Sequence, residues 1–153
     1  MSVWRKFFAS ITATFFGVGY IPVVPATFAS AASALLTWYF IPGGTLLFWA
    51  LGLSAAGLCA CRPSQDIFNS KDPKQFVMDE VCGMMLTLLW LPKNPGLYAG
   101  AFFLFRILDV WKPWPISRIQ ESRHATSIMW DDLLAGVFAN ILLQIALRMV
   151  VNL

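Results

Sequence analysis

Charge is what this sequence has least of. Only 12% of its 153 residues are Asp, Glu, Lys or Arg, against about 25% in ordinary soluble domains. From Phe7 to Cys61 no charged side chain occurs. A membrane crossing takes roughly 20 apolar residues, so that run has room for two crossings and an interfacial piece. Sulfur and imidazole are scarce as well: the cysteines are Cys59, Cys61 and Cys82, and His124 is the one histidine. A structural zinc site needs about four Cys/His ligands, and these spacings do not offer one. Nor do they form a disulfide framework; Cys59 and Cys61, in an apolar helix end, read as small hydrophobes. The net charge of +3 is modest and is not gathered into a patch, which argues against a nucleic-acid partner. No short apolar leader with a small-residue cleavage site is evident. There is no internal repeat and no low-complexity stretch.

What is present is a series of apolar runs cut by proline and glycine. Residues 1–20 open with Trp4-Arg5-Lys6-Phe7-Phe8, a basic-aromatic start suited to a helix lying in the membrane interface. Pro22 and Pro25 break it. Thr27 then reads as the N-cap of a helix over about Phe28 to Phe40. Ile41-Pro42-Gly43-Gly44 turns the chain into a helix from about Thr45 to Cys61. Arg62 to Gln75 is the first polar segment and reads as a loop. A helix from Asp79-Glu80 to about Leu91 follows, and Pro92-Lys93-Asn94-Pro95-Gly96 turns it back. Another helix runs from Leu97 to Asp109 or Val110 and stops at Trp111-Lys112-Pro113-Trp114-Pro115. Ile116 to Ser127 is mixed and polar. Trp130-Asp131-Asp132 opens the last helix, with Arg148 near its end. The expectation is one all-α domain over residues 1–153, a compact bundle of five or six helices with several embedded in a membrane.

Short far-side turns make consecutive helices antiparallel. Thr27, Arg62, Asp79, Glu80, Asp109, Asp131 and Asp132 should therefore meet at one end of the bundle. Nine of the eleven Lys/Arg (Arg5, Lys6, Arg62, Lys71, Lys74, Arg106, Lys112, Arg118 and Arg123) fall on that side, which the positive-inside rule makes cytoplasmic. One acid at a helix start compensates the helix dipole. Adjacent pairs do not have that explanation, because like charges resist ionising together. A Mg²⁺ ion held by Asp79, Glu80, Asp109, Asp131 and Asp132 removes the repulsion, and it keeps room for a phosphate ligand. Arg106, Lys112 and Arg62, with the Thr27 hydroxyl and backbone, are suited to bind that phosphate.

At these residues the chain resembles the phosphatidylglycerophosphatase A family. The likeness runs from about Phe16 to the end of the last helix. It is carried by Phe105-Arg106-Ile107-Leu108-Asp109-Val110-Trp111-Lys112-Pro113-Trp114-Pro115, by Met78-Asp79-Glu80 with Gly83, and by Ile128-Met129-Trp130-Asp131-Asp132 with Ala135-Gly136. Pro22-Val23-Val24-Pro25-Ala26-Thr27-Phe28-Ala29-Ser30 is similar to the family's Pro-x-x-Pro-Gly-Thr-x-Gly-Ser, with Ala26 and Ala29 in place of glycine. His124-Ala125-Thr126-Ser127 stands where the family has a Gly-Gly pair before Ile128. The resemblance implies an all-α, Mg²⁺-dependent membrane phosphatase. It would convert phosphatidylglycerophosphate to phosphatidylglycerol and phosphate in phospholipid biosynthesis, with its active site on the cytoplasmic face of a bacterial inner membrane.

Three other readings are weaker. Ser117-Arg118 followed by His124 echoes one block of the histidine-type lipid phosphatases, but Ile128 stands where that block needs an Asp, so His124 reads as a solvated loop residue. An aspartyl nucleophile lacks an Asp-x-Asp motif. A non-enzymatic membrane protein, whether an ion- or proton-coupled transporter or a structural subunit, would place its acids at mid-helix or use charge only as an anchor.

Overall fold

The computed structural model describes residues 3–114, 116–120 and 124–151; Pro115 and Arg123 of the motifs above lie outside them. Within the described residues there are seven α-helices and no strand: α1 Val3–Ala13, α2 Pro25–Tyr39, α3 Leu46–Phe68, α4 Met78–Thr87, α5 Pro95–Trp111, α6 Ile116–Gln120 and α7 Ser127–Val151. That is slightly more helices than expected, and their ends differ in ways that bear on the site.

Proline and asparagine set several of these ends. Pro25 occupies the first turn of α2, where its missing N–H costs nothing, and Val24 before it is left-handed at φ 44°. Thr27 is therefore inside the helix and not its N-cap. Asn94 caps α5 by accepting the Leu97 N–H at 3.1 Å, with Pro95 next. α3 does not stop at Cys61. It continues through Arg62 and Pro63 to Phe68 and ends on a left-handed Asn69. The local polar composition suggested a loop there, but the helix face holding Ala60, Cys61 and Ser64 is buried, and packing overrides weak local propensity. α4 is shorter than expected and ends at Thr87 instead of Leu91. α7 begins at Ser127, so Asp131 and Asp132 sit in its second turn and not at its start.

α4 is the hub. Nine of its ten residues are buried, and it packs against α7, α2 and α3, less extensively against α5. α1 packs on α3. The expected pairing of every consecutive helix fails for α2 and α3, which pack on α4 rather than on each other. Small residues allow the closest crossing. A Cβ on Gly83 would stand 2.7 Å from the Asp132 carbonyl oxygen and from the Phe105 ring, and one on Gly136 would overlap the Gly83 carbonyl. Backbone meets backbone at this point.

Away from the acids, buried polar groups along α4 find partners. Ser33 Oγ donates to the Val81 carbonyl at 2.8 Å, and Asn140 Nδ2 donates to the carbonyls of Thr87 and Leu89 at 2.9 and 2.8 Å. These last two bonds tie α7 to the frayed end of α4. Asn140→Leu removes both bonds, leaving the Thr87 carbonyl unpaired and Leu89 with only the Gln144 Nε2 donor at 3.2 Å, at an expected cost of about 1–3 kcal/mol. Chemical denaturation of the detergent-solubilised protein checks this.

Among the described residues, two helices are long and apolar enough to cross a membrane: α3 with the turn before it, Gly43–Phe68, and α7 over Ser127–Met149. The sequence had suggested several. α2, α4 and α5 are shorter, and α4 is enclosed by its neighbours.

Candidate active site

All five acids proposed from the sequence line one cavity of about 590 Å³. Asp79 and Glu80 enter from the first turn of α4, Asp109 from the last turn of α5, and Asp131 and Asp132 from the second turn of α7. The Gly83–Gly136 crossing brings the α4 and α7 pairs together. Oxygen atoms of Asp79, Glu80 and Asp132 lie within 4.8 Å of one another. Asp109 and Asp131 flank this trio, each held by a cation. Arg106 Nη1 is 2.6 Å from Asp109 Oδ2. Lys112 Nζ bonds Asp131 Oδ2 and is 4.0 Å from Asp132 Oδ1.

Lys112 reaches across because its backbone is left-handed, at φ 43°, between the end of α5 and Pro113. That conformation costs a non-glycine residue about 1 kcal/mol; here it turns the side chain onto α7. Burial alone would lower the Lys112 ammonium, but the Asp131, Asp132 and Asp109 carboxylates outweigh it and raise the pKa above its ordinary value. The side chain is a cation at any working pH.

The trio is buried: Asp79, Glu80 and Asp132 are 6%, 9% and 4% exposed. Burial raises Asp79 well above the ordinary carboxyl range, and the Glu80 and Asp132 charges push the same way. Glu80 is raised too, first by burial and then by the Asp109 charge. Glu80 Oε2 is buried and has no hydrogen-bond partner. An orphaned carboxylate oxygen beside two more hard oxygen donors fits a divalent cation. Helix-dipole compensation still applies to Asp79 and Glu80, but Asp131 and Asp132 lie too far into α7 for it.

A stability signature follows from these shifts. A carboxyl with a raised folded-state pKa contributes stability that is complete below its unfolded value, 3.8 for Asp and 4.5 for Glu, and is lost as pH rises through the folded value. Without divalent cation the protein is therefore expected to melt at higher temperature near pH 5 than near pH 8. A bound divalent cation should close that gap, acting most at the higher pH. Melting curves with chelator and with Mg²⁺ test this; cation-independent melting at both pH values would remove the ion from the site.

The remaining candidates lie elsewhere. Thr27, Arg62 and Arg106 do not line the cavity; Pro25 and Ala26 do, at the start of α2. Arg62 is on the exposed side of α3. His124 lines the rim and is exposed. Residues not singled out from the sequence also contribute: Lys71 and Lys74, with Asp72, from the α3–α4 connection, and Gln65. Gln65 Nε2 holds that connection by donating to the Lys71 carbonyl at 2.6 Å, and Val77 N–H closes it onto the Ala13 carbonyl at 2.8 Å. The sequence had placed Lys71 and Lys74 on the acidic end of the bundle, in the first polar segment, without assigning them to the site.

Comparison with known proteins decides the family. The sequence matches the phosphatidylglycerophosphatase A family over residues 11–147. Phosphatidylglycerophosphatase A of Escherichia coli (strain K12) is 39% identical over 132 residues, 81% of this chain and 74% of the relative. The chain belongs to the phosphatidylglycerophosphatase A family. A second member of that name, from Haemophilus influenzae, is 30% identical over 136 residues, 81% of this chain and 79% of its own. A Bacteroides thetaiotaomicron protein, provisionally named a phosphatidylinositol-3-phosphatase, is 33% identical over 152 residues, 92% of this chain and 94% of its own. No solved structure matches. The phosphatidylglycerophosphatase A family and these relatives make the chain a phosphatase, which sets aside the transporter and structural-subunit readings.

Proposed function

We propose that this chain is a Mg²⁺-dependent phosphatase that hydrolyses phosphatidylglycerophosphate to phosphatidylglycerol and inorganic phosphate in phospholipid biosynthesis. It works as one domain at the cytoplasmic face of a bacterial inner membrane, with α1 along the interface and α3 and α7 as crossings. The observation that carries the proposal is the buried trio of Asp79, Glu80 and Asp132 with Lys112 beside it, within a chain of this family. A hard divalent cation suits three buried carboxylates, because it compensates their charge and accepts their oxygens as ligands.

Asp79, Glu80 and Asp132 would hold the Mg²⁺, which when bound neutralises phosphoryl charge and activates water. The residues of the chain do the rest. Lys112 leaves Asp131 as the phosphate enters and meets its non-bridging oxygens. Lys71 and Lys74 draw the anionic headgroup into the cavity from the α3–α4 connection. Arg106 holds Asp109 in place and adds positive potential behind it. Water attacks phosphorus, one of the five carboxylates takes its proton, and that proton passes to the glycerol oxygen as its bond to phosphorus breaks, giving the alcohol and inorganic phosphate. The surrounding apolar helices keep the field at the site strong by excluding bulk solvent.

The test is which phospholipid loses phosphate when the purified chain receives Mg²⁺. Phosphatidylglycerophosphate, phosphatidylinositol 3-phosphate and phosphatidic acid should be offered side by side. The second is included because the Bacteroides thetaiotaomicron relative covers nearly the whole chain. Release from phosphatidylglycerophosphate that stops on chelation is expected. Activity that survives chelation would refute the metal role, and preference for another lipid would refute the substrate.

A further inference from the structure

A second cavity of about 510 Å³ lies between α2 and α5, lined overwhelmingly by apolar and aromatic side chains. Ala31, Ala34, Leu35 and Trp38 line it from α2, and Ala99 and Phe102 from α5. At its far end Trp38 and Tyr98 meet edge to face with centroids 5.0 Å apart. We propose that this groove binds an acyl chain of the substrate phospholipid while the headgroup occupies the acidic cavity; this rests on the lipid-phosphatase reading above.

One stripe of α5 connects the two cavities. Phe102, Arg106 and Asp109 follow one another at helical spacing. Phe102 lines the groove, Asp109 lines the acidic cavity, and Arg106 stands between them. On α2, Thr27 precedes Ala31 and Leu35 on one stripe in the same way. Arg106 and Thr27 line neither cavity, yet both stand on the stretch of helix between them. The spacing suits a lipid. At about 1.5 Å per residue the groove extends from roughly 9 to 21 Å below the level of Asp109. Acyl chains in one leaflet occupy about 15 Å. The junction is where a phosphodiester would come, and Arg106 supplies the positive charge to meet it. A second copy of this chain would have no use for a cation at that junction or for a groove in line with the active site on the same two helices.

Ala99 is exposed on the groove wall, so Ala99→Trp fills the groove with little effect on the core. Activity toward a dioleoyl substrate should then fall through a KM about tenfold higher, the equivalent of losing one or two buried methylenes. The free headgroup, glycerophosphoglycerol phosphate, should be cleaved as by the parent protein. Equal loss on both substrates, or loss on neither, overturns the proposal. A direct readout is independent of turnover. A phospholipid with a diazirine in mid-chain should crosslink to α2 and α5 residues of the groove, and Ala99→Trp should abolish those adducts. Crosslinks confined to α3 and α7, or a groove variant that changes oligomeric state without changing lipid adducts, would overturn it in favour of bulk lipid or a second copy. If the parent protein leaves phosphatidylglycerophosphate intact yet crosslinks in the groove, the substrate assignment fails and the chain site stands.

Discussion

Asp132→Asn should lower phosphate release at saturating substrate about a thousandfold, a loss of ~4 kcal/mol of transition-state stabilisation. Asp79→Asn should match it. Both residues are buried, both contribute to the trio of oxygens within 4.8 Å, and an amide cannot supply the charge that a divalent cation requires. The change is nearly isosteric, so the helices should remain in place. With Asp79→Asn the apoprotein should even gain stability near neutral pH, because a neutral amide replaces a carboxyl whose pKa burial raises. Loss of turnover with unchanged or raised melting temperature in chelator is the expected pair of results. Turnover within a few-fold of the parent protein would exclude either residue from the chemistry.

Gly136→Val should abolish activity without altering any acid. The α7 backbone at Gly136 lies against the Gly83 carbonyl of α4, and even a single Cβ would overlap it. Backbone cannot rotate aside as a side chain can, so the helices must separate. Overpacking of this kind costs about 3 kcal/mol. Asp132 is four residues from Gly136 and its carbonyl lies against Gly83, so separation also pulls Asp132 from Asp79 and Glu80. Activity should fall at least as far as with Asp132→Asn, now with a lowered melting temperature. Denaturation and turnover measured together distinguish the two cases.

The acids were legible in the sequence because adjacent carboxylates inside apolar runs have few innocent explanations. The all-helical class was legible because proline and glycine cut runs of helical length. Lys112 was legible as a cation near the cluster. Its left-handed backbone and its reach to α7 were not, since αL for a lysine is imposed by tertiary context. The loop read from Arg62 onward did not form there, because α3 continues through it on the strength of the buried face around Cys61 and Ser64. Thr27 is not the N-cap that the pattern suggested, because Pro25 already serves as the first residue of α2. Lys71 and Lys74 escaped because nothing local says over which cavity a polar connection will fold.

The sequence by itself determined the helical class, the apolar character and the inventory of charge, because each depends on composition and on short-range periodicity. The tertiary structure decided the roles. Three of five acids share one position because two glycines let α4 and α7 meet backbone to backbone, and the other two are tied to Arg106 and Lys112. Close approach of distant segments is a property of packed surfaces, which no local pattern of residues encodes.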